Sequence, residues 1–314
     1  MVTGGTGFIG SHLVRLLLER GTERVVIVDR QGAAGSFAAL ANRVVVEQAD
    51  IGVFSDVVRV VDKYRPEAIF HIAAMLAPAC DDHPESGIRS NGLATYHVLE
   101  AARLFGARQV IFASSLSVFA GVPSNVTVVD DHATTRPNTI YAAAKLFSEN
   151  LGLCYRRLHG IDFRGLRLPN VNGPGAMTHG YLEYFNRAIE ASVAGRPYAI
   201  YVEPHVRIPI LHISDAARAF YELAAAPRDS IRTVNYTVLG PTPAPTAGEL
   251  IEAIKQRVPG AKLEFAVKPE ISHLVEAIGG LRFDDRYART EWGWKHEFDL
   301  TRIIESFQTT RGKG

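Results

Sequence analysis

The 314 residues carry 34 Lys and Arg against 33 Asp and Glu, a formal charge of +1, and 47% of them are hydrophobic. This is one large domain or two modest ones, with ample apolar residues for a core. The balanced charge has no basic block, which argues against nucleic acid or an anionic membrane as partner. No apolar run approaches the roughly eighteen residues of a spanning helix. Two cysteines, Cys80 and Cys154, cannot build a disulfide framework or a zinc site. No metal is therefore expected, and a reducing cytoplasm is the simple reading. The glycine-rich start lacks the basic residues and small-residue cleavage site of a signal peptide.

Residues 1–10 read MVTGGTGFIG, with glycines at Gly4, Gly7 and Gly10. A strand that turns abruptly into a helix needs backbone angles that glycine tolerates. Side chains there would also keep an anion away from the free N–H groups and dipole of the helix N-terminus. Phe8 and Ile9 open that helix, and Leu13, Val14, Leu16, Leu17 and Leu18 give it an apolar stripe. An apolar strand over 24–29 ends in Asp29, nineteen residues beyond Gly10. An acid at that distance suits the adenosine ribose hydroxyls and repels a 2′-phosphate, which selects NAD over NADP. Arg30 beside it could tolerate a phosphate.

A small-residue loop over 31–38 is expected on the adenine side. The next strand, over 43–51, ends in Asp50-Ile51, where Asp50 can cap the helix expected over 53–63. A strand over 68–74 carries His71 and closes on Ala73-Ala74. A helix over 87–105 includes Asn91. The strand over 109–115 ends in Ser114-Ser115, and a long helix over 138–159 carries Tyr141 and Lys145. A strand over 162–168 ends at Leu168 and is broken by 169–175. Beyond it come a helix over 181–194, strands over 198–202 and 208–213, and a helix over 214–226. A strand over 233–238, a proline-rich turn over 241–245 and a helix over 246–258 capped by Thr246 follow. The last elements are a strand over 262–267 and a mostly helical tail over 284–307.

Strands alternating with helices predict an α/β fold with a doubly wound parallel sheet and a smaller, mixed C-terminal substrate domain. Such a sheet binds ligands beyond the strand C-terminal ends, where all these motifs fall. The expected division is a NAD-binding Rossmann domain over 1–170 and a mainly substrate-binding part over 171–314. The strands near 208–213 and 233–238 are candidates for return to the sheet.

Tyr141 and Lys145 are spaced i,i+4 and share one helix face. A lysine charge favours the tyrosinate, lowering a phenol pKa that is near 10 unperturbed. Tyr141 then serves as a general base toward an alcohol, with Ser115 hydrogen-bonding the same oxygen. Removing that proton while hydride leaves carbon is the oxidation of a secondary alcohol by NAD.

GxxGxxG together with YxxxK resembles the extended short-chain dehydrogenase/reductase superfamily, which includes nucleotide-sugar epimerases and dehydratases. The resemblance implies that Asp50 and Ile51 flank the adenine, that Ala73 and Ala74 let the backbone pass the cofactor, and that His71 is structural. Ser114-Ser115-Leu-Ser117-Val118-Phe119 is similar to the SSxxVYG pattern, making Ser115 catalytic, Ser114 a cofactor contact and Ser117 a loop residue. Lys145 would hold the nicotinamide ribose, with Asn91 and Leu168 completing the cofactor set. Relatives carry a few more apolar residues before the glycine turn, which implies a clipped first strand or a start lying upstream. Leu166 to Gly175 resembles LRxxNVYGPG of the sugar-nucleotide enzymes and makes Asn170 a substrate candidate, alongside Met75. The C-terminal stretch from Asp284 to Leu300 resembles the short-chain type of L-threonine 3-dehydrogenases, with Trp292 and Trp294 as core anchors. Thr178 and Tyr181 match that family's substrate loop, but its acid is missing. Arg207 is the candidate for a substrate phosphate or carboxylate.

The expected function is NAD-dependent removal of hydride from a secondary alcohol on a small polar substrate, a hydroxy amino acid or sugar-acid-like compound. The alternatives are a nucleotide-sugar epimerase or dehydratase and a non-catalytic NAD-binding sensor or scaffold. The resemblance also implies a homodimer through the helices that begin near Gly87 and Asn138.

Overall fold

Strands buried on both faces need apolar side chains on both, and the Val- and Ile-rich runs supply them. The computed structural model describes residues 1–32, 34–123, 125–126, 128–176 and 180–311. Seven strands form the main sheet: β1 Val2–Thr3, β2 Val25–Asp29, β3 Val44–Gln48, β4 Ala68–His71, β5 Gln109–Ser115, β6 Asp162–Leu168 and β7 Asn235–Thr237. They run in the order β7-β6-β5-β4-β1-β2-β3, and every neighbouring pair is parallel. The order reverses between β1 and β4, which opens a crevice at their C-terminal ends. The central strand β1 has two residues, yet Val2 is register partner to both Ile27 and Phe70 and is fully buried.

Helices cover both faces. Phe8–Glu19 and Ile213–Ala225 bury Leu13, Leu17, Phe220 and Leu223 on one side, joined by Trp294. Phe54–Tyr64 and Ala94–Phe105 bury Val57, Val61, Val98 and Leu99 on the other, with Tyr155 of the long helix Ile140–His159. Each such apolar side chain stabilises the fold by about 1.5–3 kcal/mol. A third core holds the C-terminal part together, through Phe185, Ile189, Ile200, Leu250, Ile254 and Ile303.

Several elements differ from the sequence pattern. The helix expected over 87–105 is a short helix Pro84–Gly87, a π-helical segment Ile88–Leu93 and the helix Ala94–Phe105. The long helix starts at Ile140, because Thr139 caps it by accepting from Ala142 N at 3.1 Å. The loop expected over 31–38 is partly a 3₁₀ segment, Ala34–Leu40. The two candidate returning strands part company. Asn235–Thr237 joins the main sheet beside β6, whereas Ile210–His212 pairs with Asn170–Asn172 in a separate two-stranded sheet. The helices Ala77–Asp82 and Pro269–Gly279 were not expected. The Thr246 cap is a full capping box with Glu249. In the tail, Trp294 is 2% exposed and donates its indole N–H to Leu239 O at 3.3 Å. Trp292 stands edge-on to Tyr236.

Candidate active site

A cleft of about 1020 Å³ opens at the C-terminal ends of the strands. Gly4, Gly7, Phe8, Ile9 and Gly10 line one wall. Gly4 has φ +68°, and a Cβ there would stand 2.8 Å from Ala73 Cα. A Cβ on Gly10 would overlap Gly4 O. Gly7 is the N-cap of Phe8–Glu19 and offers no side chain to its N–H groups. The first turn therefore presents free donors to the cleft, as an anionic pyrophosphate requires. These residues fit a dinucleotide.

Asp29 ends β2 in the same cleft, next to Arg30. Thr6 donates from its hydroxyl to Asp29 Oδ2 at 2.5 Å and from its backbone N–H at 3.3 Å. These bonds aim the carboxylate across the glycine turn. Sequence reasoning missed Thr6, although its place between Gly5 and Gly7 put it within reach of the strand end. Asp50, Ile51, Ala73, Ala74, Met75 and Leu168 also line the cleft. Asp50 does not cap the next helix, whose N-cap is Val53. Its Oδ1 instead accepts from Gly52 N at 2.8 Å.

Asn91 lies behind the cleft wall, 2% exposed, and its amide holds the Met75 backbone. Behind β1 and β4, His71 Nδ1 hydrogen-bonds Thr3 Oγ1 at 2.8 Å and its Nε2 bonds Thr95 Oγ1 at 3.2 Å. Burial pulls its pKa down to about 3, with Lys145 adding to the effect, so it is a neutral structural imidazole.

Ser115, Tyr141 and Lys145 meet in the cleft. Ser115 is the last residue of β5, in register with Leu168 of β6. Its Oγ accepts from Ser117 N at 3.2 Å, and it lines the cleft together with the Tyr141 phenol. Lys145 is buried, donates from Nζ to Ala113 O at 2.6 Å, and stands 5.6 Å from the Tyr141 ring centre. The expected lowering of the phenol by the lysine is not what the structure shows. Burial dominates and pushes Tyr141 up to about 12, with the Ser115 hydrogen bond opposing it. Burial also pulls Lys145 down to about 8. The lysine's first partner is a sheet carbonyl, which leaves the phenol without a close counter-charge.

Ser114 lines the cleft, and its hydroxyl donates to Glu149 Oε1 at 2.5 Å. Glu149 in turn binds Arg167 through two hydrogen bonds, at 3.0 and 2.7 Å. Neither residue was singled out in the sequence, where an i,i+4 acid after Lys145 was the available signal.

On the substrate side, Asn170 lines the cleft and donates to Asn172 Oδ1 at 3.0 Å and Leu182 O at 3.3 Å. Tyr181 lies at the rim, 46% exposed. Thr178 falls outside the described residues. Arg207 is absent from the described lining and donates to Ala244 O and to Glu249 Oε2, at 2.5 and 3.3 Å. Apolar side chains elsewhere in the cleft lining include Leu76, Pro78, Leu116, Val171, Leu182 and Ile208. Among the described residues, no group of three or more His, Cys, Asp or Glu side chains could hold a metal, and no helix is long and apolar enough to cross a membrane.

The model of the NAD dependent epimerase/dehydratase family matches residues 1–238. The mitochondrial L-threonine 3-dehydrogenase of Bos taurus is 29% identical over 322 residues, 99% of this chain and 82% of that protein. The UDP-glucose 4-epimerase of Mycolicibacterium smegmatis is 31% identical over 311 residues, 97% of this chain and 95% of that protein. A solved structure of a monomeric L-threonine 3-dehydrogenase of metagenomic origin matches with a TM-score of 0.87 and 26% identity, over 98% of this chain and 97% of that one.

Proposed function

The chain belongs to the NAD dependent epimerase/dehydratase family and is an NAD-dependent enzyme, and from that premise we propose that it oxidises a secondary alcohol on a small polar substrate. The meeting of Ser115, Tyr141 and Lys145 in one cleft with the glycine turn carries this reading. Residues 1–170 hold the cofactor, and 171–314 mainly form the substrate side.

Bound NAD would supply the hydride acceptor and a positive charge. Tyr141 takes the hydroxyl proton. Ser115 hydrogen-bonds the substrate oxygen and orients it toward Tyr141. Lys145 holds the nicotinamide ribose and adds a second positive charge that favours the tyrosinate. The glycine turn holds the pyrophosphate, and Asp29, aimed by Thr6, takes the adenosine ribose hydroxyls. Met75, Asn170 and Tyr181 face the substrate.

The choice of a small substrate rests on the charge of the wall. The described basic side chains lining the cleft are His12, Arg30 and Lys145, of which Arg30 and Lys145 are assigned to the cofactor. Arg207, the candidate for a sugar nucleotide's diphosphate, is engaged elsewhere. A hydroxy amino acid or sugar-acid-like compound fits the polar groups that remain. Asn170 in the wall and the similarity to the Mycolicibacterium epimerase favour the second reading, a nucleotide-sugar epimerase. A screen of hydroxy amino acids, sugar acids and UDP-sugars, followed by NADH absorbance, separates the two. Net NADH from a small hydroxy compound is the expected result.

The proposed assembly is a homodimer. Ile88, Leu93, Tyr96, Phe147, Leu153 and Leu158 are exposed on the π-helical segment and the two long helices, an apolar face that a second copy would cover. The proposed location is a reducing cytoplasm, in keeping with two free cysteines, one of them exposed.

A further inference from the structure

Lys145 and Glu149 are one helical turn apart on Ile140–His159, and each is 2% exposed. A buried ammonium and a buried carboxylate are both costly unless they are paired or hydrogen-bonded. From the sheet, Lys145 receives the Ala113 carbonyl, with the Phe112 ring centre 4.8 Å from Nζ. Glu149 accepts from Ser114 Oγ at 2.5 Å, from Arg167 Nε at 3.0 Å and from Arg167 Nη2 at 2.7 Å. Arg167 reaches on to Asp131, with Nη1 3.0 Å from its carbonyl and 3.7 Å from Oδ1. Asp131 Oδ1 accepts from Thr237 N of β7 at 2.6 Å. Two buried cations and two buried acids thus alternate from the catalytic helix to the edge of the sheet.

We propose that Glu149 is a positioning residue of this site: its carboxylate, fixed by Ser114 and Arg167, supplies the negative charge that keeps Lys145 protonated against the cofactor. The other groups around the lysine do not supply it. Tyr141, on the same helix, has a phenol that burial holds neutral. His71, on β4, is neutral as well. Cys80 and then Glu149 raise the lysine's pKa against its burial. Burial pushes the Cys80 thiol up, with the nearby Asp81 adding to the effect, which disfavours its charged form. Glu149, ion-paired with Arg167, is the acid that remains. Its grip on Ser114 also ties it to the end of β5, next to Ser115.

The inference rests on Lys145 holding the nicotinamide ribose, as proposed above. Its test is NADH affinity, read by fluorescence from about pH 6 to about pH 10, across the lysine's ionisation. In the wild type, affinity should weaken as pH rises and Lys145 loses its proton. Glu149→Gln keeps the shape and the acceptor for Ser114 but removes the charge. Its weakening should begin about one pH unit lower or more, a tenfold change in the lysine's ionisation. Lys145→Met should show a flat profile. A folded Glu149→Gln with the wild-type profile, or with equal weakening at every pH, would overturn the role of Glu149. A wild-type profile in Lys145→Met would instead overturn the reading of Lys145. If Glu149→Gln does not accumulate, Glu149→Gln/Arg167→Met removes both members of the ion pair and is judged by the same displacement.

Discussion

Asn91 and Met75 are joined by two reciprocal hydrogen bonds: Met75 N–H donates to Asn91 Oδ1 at 2.8 Å, and Asn91 Nδ2 donates to Met75 O at 2.9 Å. The side-chain amide replaces a missing strand partner just past the end of β4. Asn91→Ala would leave the Met75 N–H unpaired and its carbonyl with only the weak Cys80 thiol donor at 3.3 Å. A stability loss of about 1–3 kcal/mol is expected, measurable as a lower denaturant midpoint. NAD affinity should fall with it, because Met75 lines the cleft wall. An unchanged midpoint would show that water satisfies those groups.

Asp29→Ala should weaken NAD by about 10–100-fold, the worth of hydrogen bonds to a charged acceptor, and should weaken NADP far less. Titrating both dinucleotides into wild type and variant tests this. Thr6→Val should move affinity the same way by less, since it loosens the carboxylate's aim and leaves its charge. A wild type that already prefers NADP would mean that Arg30 overrides Asp29.

Asp131 gives stability a pH dependence of known sign. Burial raises its pKa from 3.8 to about 7, against hydrogen bonds from Thr237 and the charge of Arg167. The folded chain therefore holds this proton more tightly than the unfolded one. The resulting stability is fully present below pH 3.8 and is lost as pH rises to about 7. The ceiling on that loss is about 4 kcal/mol for a gap of roughly three pH units. His71 and His212, lowered by burial to about 3 and about 4, oppose it over part of the range. The comparison that isolates Asp131 is wild type against Asp131→Asn in urea at several pH values. The wild type should lose ground to the variant between pH 4 and pH 8. A constant difference would mean that Asp131 is ionised throughout.

The apolar face on the two long helices predicts a dimer in light scattering, and Phe147→Glu with Leu158→Glu should give monomers. Phe147 is 50% and Leu158 59% exposed, so neither change disturbs a core. A monomeric wild type at micromolar concentration would sink the dimer, and the monomeric relative shows that the fold itself does not demand one.

The glycine turn, Asp29 and the Tyr141–Lys145 pair were legible in the sequence because each is local. Spacing along one turn or one helix fixes which atoms meet. Long-range choices were not. Nothing in the sequence near Arg207 says that its guanidinium prefers Ala244 O and Glu249 to the cleft, since that depends on the capping box of a helix 40 residues away. Asn91 was legible as a residue near the cofactor, but not as a clamp, because the π-helical segment that turns it toward Met75 has no simple periodic signal. The pKa of Tyr141 was misjudged for a related reason. Helical spacing gives the neighbour, whereas burial and the Ala113 carbonyl, both tertiary, set the charge that neighbour delivers.

The strongest prediction concerns Tyr141. Tyr141→Phe removes the proton acceptor and keeps the ring that packs beside Lys145. If Tyr141 is the base, NAD affinity should barely change while turnover falls by about 10²–10⁴, the usual worth of a general base. With burial holding the phenol near 12 in the protein alone, turnover in the wild type should also rise with pH until Lys145 loses its proton, and Tyr141→Phe should abolish that rise. Lys145→Met should cost turnover and NAD affinity together. The fate of the hydride then separates the two enzyme classes. A dehydrogenase releases NADH, so absorbance grows with each turnover. An epimerase returns the hydride to its ketone intermediate, and none accumulates. Accumulation of free NADH is expected. Conversion of a UDP-sugar with no net NADH would decide for the epimerase. Asn170 would then become a sugar contact, and Arg207 would have to leave Ala244 and Glu249 to reach the substrate.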